Sequence, residues 1–198
     1  TFADHCLGLV LDALEESEHS DNTIIALFSD HGFHLGEKER WAKRSLWEDG
    51  TRVPVVVASP GHKPGQKTNR PAELLDVFPT LLELAGLPAD STQEGQSLVP
   101  LMKNPQREWN HPAITSFGLG NYSVRSTRYR FIQYFDGSRE LYDLSKDPHE
   151  WKNLIDNPKL EKVIQEHASF IPQKQHPILP GSSTGHKAYA AAKKKLNK

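Results

Sequence analysis

Thr23–Gly32 reads TIIALFSDHG, and this stretch decides how the rest of the chain is read. From Thr23 to Phe28 there is no charge, no Gly and no Pro, and Ile24 and Ile25 are β-branched. A continuous apolar run of this length suits a parallel strand covered on both faces. The run stops abruptly at Ser29-Asp30-His31-Gly32. In open α/β sheets, ligands bind outside the carboxyl ends of the strands. An acid and an imidazole in consecutive positions, followed by a Gly that lets the backbone turn, can both aim at one cation. The same four residues also fit an ordinary turn in which Asp30 caps the next segment.

Upstream of this strand, Leu7, Val10, Leu11 and Leu14 fall at i, i+3, i+4 and i+7 and predict a helix over about Asp4–Ser17. Cys6 lies inside that pattern and reads as a buried structural thiol. The chain opens at Thr1-Phe2-Ala3 and enters the helix pattern within a few residues, so it reads as the C-terminal part of something longer. Downstream, Val53–Ser59 (VPVVVAS) is a second apolar strand, ended by Pro60-Gly61. Asp76 can cap a helix over Val77–Ala85, with Pro79 in its first turn and Gly86 and Pro88 as stop signals. The alternation of helices and strands predicts an α/β layer with a mostly parallel sheet.

After about Trp109 the pattern changes. Ile114–Phe117, Tyr122–Arg125, Tyr129–Tyr134 and Glu140–Tyr142 are short strand-like runs, and Asp136-Gly137 is a strong hairpin signal. They predict a small antiparallel sheet, followed by a helix over about Pro158–Phe170. From Ile171 on, Pro, Gly, Ser and Lys dominate. The expected division is residues 1–110 for the α/β part, 111–172 for the small sheet-and-helix part, and 173–198 for a flexible Lys-rich tail.

Composition narrows the function. The chain has 198 residues, enough for one domain or one domain plus a small appendage. Lys+Arg 24 against Asp+Glu 25 leaves a formal charge of -1. Five lysines (Lys187, Lys193, Lys194, Lys195 and Lys198) fall in the last twelve residues, so the body is mildly acidic and carries no nucleic-acid footprint. No apolar run approaches the roughly 20 residues of a membrane span. A single Cys excludes an internal disulfide and a Cys-rich zinc site.

The segment after Gly32 holds Phe33, His34, Glu37, Lys38, Glu39, Arg40, Trp41, Lys43 and Arg44. A connection of about twenty residues inside a compact domain usually carries function. Lys43 and Arg44 suit an oxyanion, Lys as a point charge and Arg as a fork, although taken alone they read more readily as a solvated surface pair. Trp41 and Trp47 read as packing residues, and Trp151 reads as packing the small sheet against the main part. Asn121-Tyr122-Ser123 fits a glycosylation sequon.

Two stretches, SDHGFHLGEKERWAKRSLWEDGTRVPVVVASPG (Ser29–Gly61) and ELYDLSKDPHEWKNL (Glu140–Leu154), resemble the C-terminal half of a type I sulfatase. Within that family they resemble the iduronate-2-sulfatase-like and choline-sulfatase-like branches. Helix one and LLDVFPTLLELAGL (Leu74–Leu87) join the resemblance, which covers about Asp4–Leu154. It implies an alkaline-phosphatase-like fold: a sheet between helices, with a smaller C-terminal part of antiparallel strands and one helix. It also implies a calcium-dependent enzyme that hydrolyses a sulfate ester, of a sulfated sugar or another small molecule. By resemblance, Asp30 and His31 fall at two calcium ligands in an Asp-His variant, with the one ion shared with upstream ligands. Lys43 falls at a catalytic lysine that holds a sulfate oxygen. Phe33 and His34 fall on the substrate side, and Arg44 suits an anionic sugar.

The family's nucleophile is a formylglycine made from the Cys of C-x-P-x-R or C-x-A-x-R. Cys6 is followed by Leu7-Gly8-Leu9-Val10 and does not match. By resemblance, the nucleophile, an Asp pair of the metal shell and the leaving-group His and Lys residues precede the start of this chain. The expected partner is therefore the N-terminal part of the same enzyme, and these 198 residues alone are expected to be inactive. The alternatives are a phosphatase or phosphodiesterase of the same superfamily, against which the Lys43 spacing weighs, and a non-catalytic sulfatase-like binding module. Family habit implies a periplasmic, secreted or lysosomal location.

Overall fold

The structure, a computed structural model, describes residues 1–175; the greater part of the expected Lys-rich tail lies outside them. In chain order the elements are α1 (Phe2–Glu15), β1 (Ile25–Phe28), α2 (Glu48–Thr51), β2 (Val55–Ala58), α3 (Val77–Leu84), α4 (Val99–Lys103), β3 (Ala113–Ser116), β4 (Tyr122–Arg125), β5 (Tyr129–Gln133), β6 (Arg139–Asp143) and α5 (Glu161–Ser169). The chain forms two compact units. One is built from Thr1–Ser29, Pro54–Asn69 and Glu73–Glu108, and the other from Asp30–Val53, Arg70–Ala72 and the described residues from Trp109 on.

In the first unit β1 and β2 pair antiparallel, with Ile25 opposite Ala58 and Phe28 opposite Val55. This corrects the expected parallel pairing. The chain leaves β1 at Phe28 and returns at Val55, its direct partner, so the long connection closes on the same end of the ladder. A parallel partner needs a crossover back to the opposite end. Nor are the two strands covered on both faces, since Leu27, Phe28, Val55 and Val56 are all exposed. No residue of α1 is buried. Cys6, expected to be a buried thiol, is exposed, because among the described residues nothing covers that part of the helix.

Asp76 and Thr80 hold α3. The Asp76 carboxylate does not cap α3; it accepts from the backbone N–H of Glu73 at 2.8 Å and of Gln96 at 2.7 Å. Thr80 Oγ1 donates to the Asp76 carbonyl and accepts from Leu98 N–H at 2.8 Å. The expected cap thus fastens the turn before the helix and the segment leading into α4. A Cβ on Gly95 would collide with the Leu75 carbonyl, so only glycine allows that approach.

The second unit is a four-stranded antiparallel meander in the order β3-β4-β5-β6. Its hairpins follow from local chemistry: Gly137 adopts φ 87° in the turn between β5 and β6, where Tyr134 and Ser138 bond backbone to backbone. Side chains on a strand alternate between faces, and each face of this sheet carries apolar residues. Tyr122, Val124, Phe131 and Leu141 pack with Ile164 of α5 and with Ile171. The neighbouring positions Ile132 and Tyr142 pack with Leu46 and, at the edge, with Trp47. Burying a side chain of this size contributes roughly 1.5–3 kcal/mol. The segment after Asp30 is therefore not a free loop; Leu46 and Trp47 fasten it to one face of the meander.

Trp41 and Trp151, expected to pack, are 73% and 65% exposed. Their neighbours do the fastening instead, Ala42 through its carbonyl to His34 N–H and Glu150 through its buried carboxylate. Asn121 of the sequon is buried and donates to the Phe117 and Leu119 carbonyls while accepting from Phe135 N–H, which is a structural role.

Candidate functional site

The residues singled out by sequence all lie in the second unit, on the segment that follows β1. Gly32 closes this segment on itself: its N–H donates to the Gly50 carbonyl at 3.2 Å, and a Cβ there would collide with the Asp49 carbonyl. Glycine is needed here for a close backbone approach, a stricter demand than the turn the sequence suggested.

That closure orients His31. Its Nδ1 lies 2.8 Å from the Gly32 carbonyl and donates to it. In the neutral ring this leaves the Nε2 lone pair facing outward. Lys43 Nζ donates to Nε2 at 2.9 Å, and Asp30 Oδ2 lies 3.8 Å from the same nitrogen. Asp30 is 84% exposed at its side chain, and Lys43 is also exposed. An anion, an imidazole lone pair and an ammonium thus meet at one solvent-facing point. Arg44 takes φ 64°, the left-handed region, directly after Lys43.

The other sequence candidates divide. Phe33 is half exposed beside this cluster in sequence. His34 is fully buried, its Nε2 2.6 Å from Ser45 Oγ and its Nδ1 without a hydrogen-bond partner. A ring in that position faces the protein interior and not a ligand in solvent.

What holds the cluster in place lies beneath it. Arg130 of β5 donates to the Leu46 carbonyl at 3.0 Å and to Ser123 Oγ, and pairs with both Glu48 and Glu150. Glu150 also accepts from Glu48 N–H at 2.8 Å, and Arg125 Nε lies 3.3 Å from Glu48 Oε2. Lys38 donates to the Glu150 carbonyl and lies 4.6 Å above the Tyr142 ring. Trp47 Nε1 donates to Glu140 Oε2 at 2.7 Å. Burial pushes Glu48 upward, but the Arg130 and Arg125 guanidinium groups outweigh it and hold the carboxyl below its ordinary range. Burial of Glu150 prevails over Arg130 and raises its carboxyl. Burial, reinforced by the Glu140 carboxylate, raises the phenols of Tyr134 and Tyr142, so both stay protonated as donors.

Sequence reasoning passed over Lys38, Glu48, Arg125, Arg130 and Glu150 as the anchors of this segment. One signal was present: two arginines, Arg125 and Arg130, inside runs otherwise apolar enough to be strands, where a buried charge needs a partner.

For a metal ion, Asp30 offers carboxylate oxygens and His31 a lone pair fixed in direction. Two ligands are too few for calcium, which takes about 6–8, mostly oxygens, so these residues fit one share of a shell and not a whole one.

The sulfatase family model matches residues 1–87. A sulfatase of Formosa agariphila is 44% identical, over 87% of this chain and 34% of its own length. A Delta 4,5-hexuronate-2-O-sulfatase of Bacteroides thetaiotaomicron is 33% identical, over 82% of this chain and 36% of its own. Among solved structures, one described in complex with its substrate D-glucosamine-2-N,6-O-disulfate superposes with a TM-score of 0.75 at 28% identity, covering 84% of this chain and 36% of that one. The chain thus spans about a third of the length of these curated relatives.

Proposed function

We propose that this chain, which belongs to the sulfatase family, forms the C-terminal share of the active site of an enzyme that hydrolyses the sulfate ester of a sugar. The observation that carries the reading is the meeting of Asp30, His31 and Lys43, with Lys43 Nζ 2.9 Å from His31 Nε2 although the two are twelve positions apart. An ester sulfate presents several oxygens around one sulfur. Its hydrolysis needs positive charge near those oxygens as the S–O bond changes.

Asp30 and His31 would hold part of the shell of one calcium ion, and the remaining length of the enzyme would supply the other ligands. Calcium would supply Lewis acidity, and a formylglycine hydrate from outside this chain the nucleophile. The chain's own residues account for the rest. His31 Nε2 has one lone pair, so it serves either Lys43 or a metal. With that lone pair on a metal, the Lys43 ammonium would be left to hold a sulfate oxygen. The bond from Nδ1 to the Gly32 carbonyl keeps that lone pair aimed. Phe33 and Arg44, both exposed, are the segment's candidates for the sugar side of the substrate. His34, buried beneath, takes no part in that contact.

The names of the hexuronate sulfatase and of the glucosamine disulfate complex support a sulfated sugar as substrate class. The test is an assay of the full-length enzyme on 2-O-sulfated hexuronates, sulfated glucosamine and the matching phosphate esters, with and without a chelator. Release of sulfate that calcium restores after chelation is the expected result. Turnover of the phosphate esters alone would favour a phosphatase. Binding without turnover would favour a binding module.

A further inference from the structure

The geometry points to a second metal site, formed by His34, Glu37 and Asp49 and suited to a divalent transition ion such as Zn2+. One ring nitrogen of His34 and one carboxylate oxygen each of Glu37 and Asp49 lie within 4.8 Å of one another. A carboxylate cluster alone would mean little. The buried histidine is the independent sign: its side chain is fully buried, and its Nδ1 has no hydrogen-bond partner. An unpaired polar atom in that position is destabilising, a cost that a ligand on the nitrogen removes.

The other ring nitrogen fits the same reading. Nε2 lies 2.6 Å from Ser45 Oγ. A metal-binding histidine ordinarily ties its second nitrogen to a neighbouring group, which fixes the ring and the tautomer. Gly50 leaves room for this bond, since a Cβ there would collide with Ser45 Oγ and approach His34 Nε2 to 3.2 Å. Glu37 is already oriented, its Oε2 accepting from Leu35 N–H at 2.7 Å.

The donor set selects the ion. One imidazole and two carboxylates suit zinc, which takes nitrogen and oxygen ligands at about 2.0–2.2 Å and completes its shell with water. Calcium takes about 6–8 ligands, mostly oxygens, more than these three residues offer. The two carboxylates are half-buried and can draw in by the small distance this requires. The bound ion would join the turn at Glu37–Glu39 to α2, two parts of the segment that also carries Asp30, His31 and Lys43. Its role is then to stiffen that segment, and the inference does not depend on the sulfatase reading.

The test uses the full chain without a histidine tag, stripped of metal. It carries Asp30→Asn, His31→Ala and Cys6→Ser, so that the exposed donors cannot contribute. Titration with Zn2+ is followed by calorimetry, and with Co2+ by visible absorption. One ion per chain is expected. Ser45→Ala should weaken binding by about 10–100-fold. His34→Ala and Asp49→Asn should abolish it together with the Co2+ bands. If His34→Ala disrupts folding, as circular dichroism would reveal, Glu37→Gln and Asp49→Asn carry the test. Absence of stoichiometric binding in the background protein overturns the proposal. So does binding that survives Asp49→Asn and Glu37→Gln unchanged.

Discussion

Arg130 Nε stands 2.7 Å from Glu150 Oε1, with both side chains almost wholly buried. Glu150 lies just past the last strand and Arg130 inside β5, and between them they grip Leu46 and Glu48 of the segment that carries the candidate site. The antiparallel sheet is therefore the bed on which the site rests.

Breaking this pair should unfold the site. Arg130→Met leaves two carboxylates, Glu48 and Glu150, buried without their shared guanidinium, and should destabilise the chain by about 3–5 kcal/mol in urea unfolding. Arg130→Lys should fall short of rescue, because an ammonium cannot reproduce the fork that reaches Leu46, Glu48 and Glu150 together. The double variant Arg130→Met/Glu150→Met should lose less than Arg130→Met alone. A larger loss in the double variant would contradict this account.

Lys43 should separate catalysis from folding. It is exposed, so Lys43→Ala should leave the melting temperature almost unchanged. In the full-length enzyme it should lower kcat on a sulfate ester by about 10²–10³-fold, the usual cost of removing one group that stabilises a developing oxyanion. Asp30→Asn should instead raise the calcium concentration needed for half-maximal activity. Full activity in both variants would refute the site.

Gly32→Ala places a methyl group against the Asp49 carbonyl and parts the bond from Gly32 N–H to Gly50. It should lower stability by at least about 1 kcal/mol, in the range for overpacking at a tight site. It should also disturb the His31 ring, which could be read from its NMR shifts. Unchanged stability and unchanged shifts would show that the segment closes in some other way.

His167 and Asp143 both contribute to the response to acid. Burial holds His167 of α5 below the ordinary imidazole range; its Nδ1 donates to the Val163 carbonyl, and Ser126 Oγ is bonded to Nε2. A histidine with a lowered folded pKa leaves stability untouched at neutral pH. Stability is then lost as pH falls below about 6.5, where the unfolded chain binds the proton more readily. The melting temperature should drop between pH 6.5 and 5, and His167→Gln should flatten that slope. A second loss belongs to Asp143, which the hydrogen-bonded Arg128 guanidinium holds down at about 2. Its contribution is full above about pH 4 and disappears as pH falls toward 2.

The meander was legible because its signals are local. Alternation placed β4, β5 and β6 within a residue or two, and Asp136-Gly137 marked the turn by its own backbone preference. The direction of the β1–β2 pairing was not legible. It depends on where the chain returns after a long excursion, and an apolar run such as TIIALF looks the same in either sense. Asp30, His31 and Lys43 stood out as residue types, but their convergence came from family resemblance; no spacing rule brings Lys43 onto His31. The Arg130, Glu48 and Glu150 network was hidden for a further reason. Which buried charge neutralises which is decided by tertiary packing, and sequence displays only the charges.

Phe28 and Val55 face each other across the ladder, so the whole excursion from Asp30 to Val53 starts and finishes about 5 Å apart, one strand spacing. A segment with so narrow a footing behaves as an exchangeable cassette. Its tip can lengthen, shorten or change its side chains while the two strands keep their register. The condition is that any replacement retains the Leu46–Glu48 grip on the meander. Redesign of the segment would begin at its exposed side chains Phe33 and Arg44, leaving Asp30, His31, Lys43 and the footing untouched.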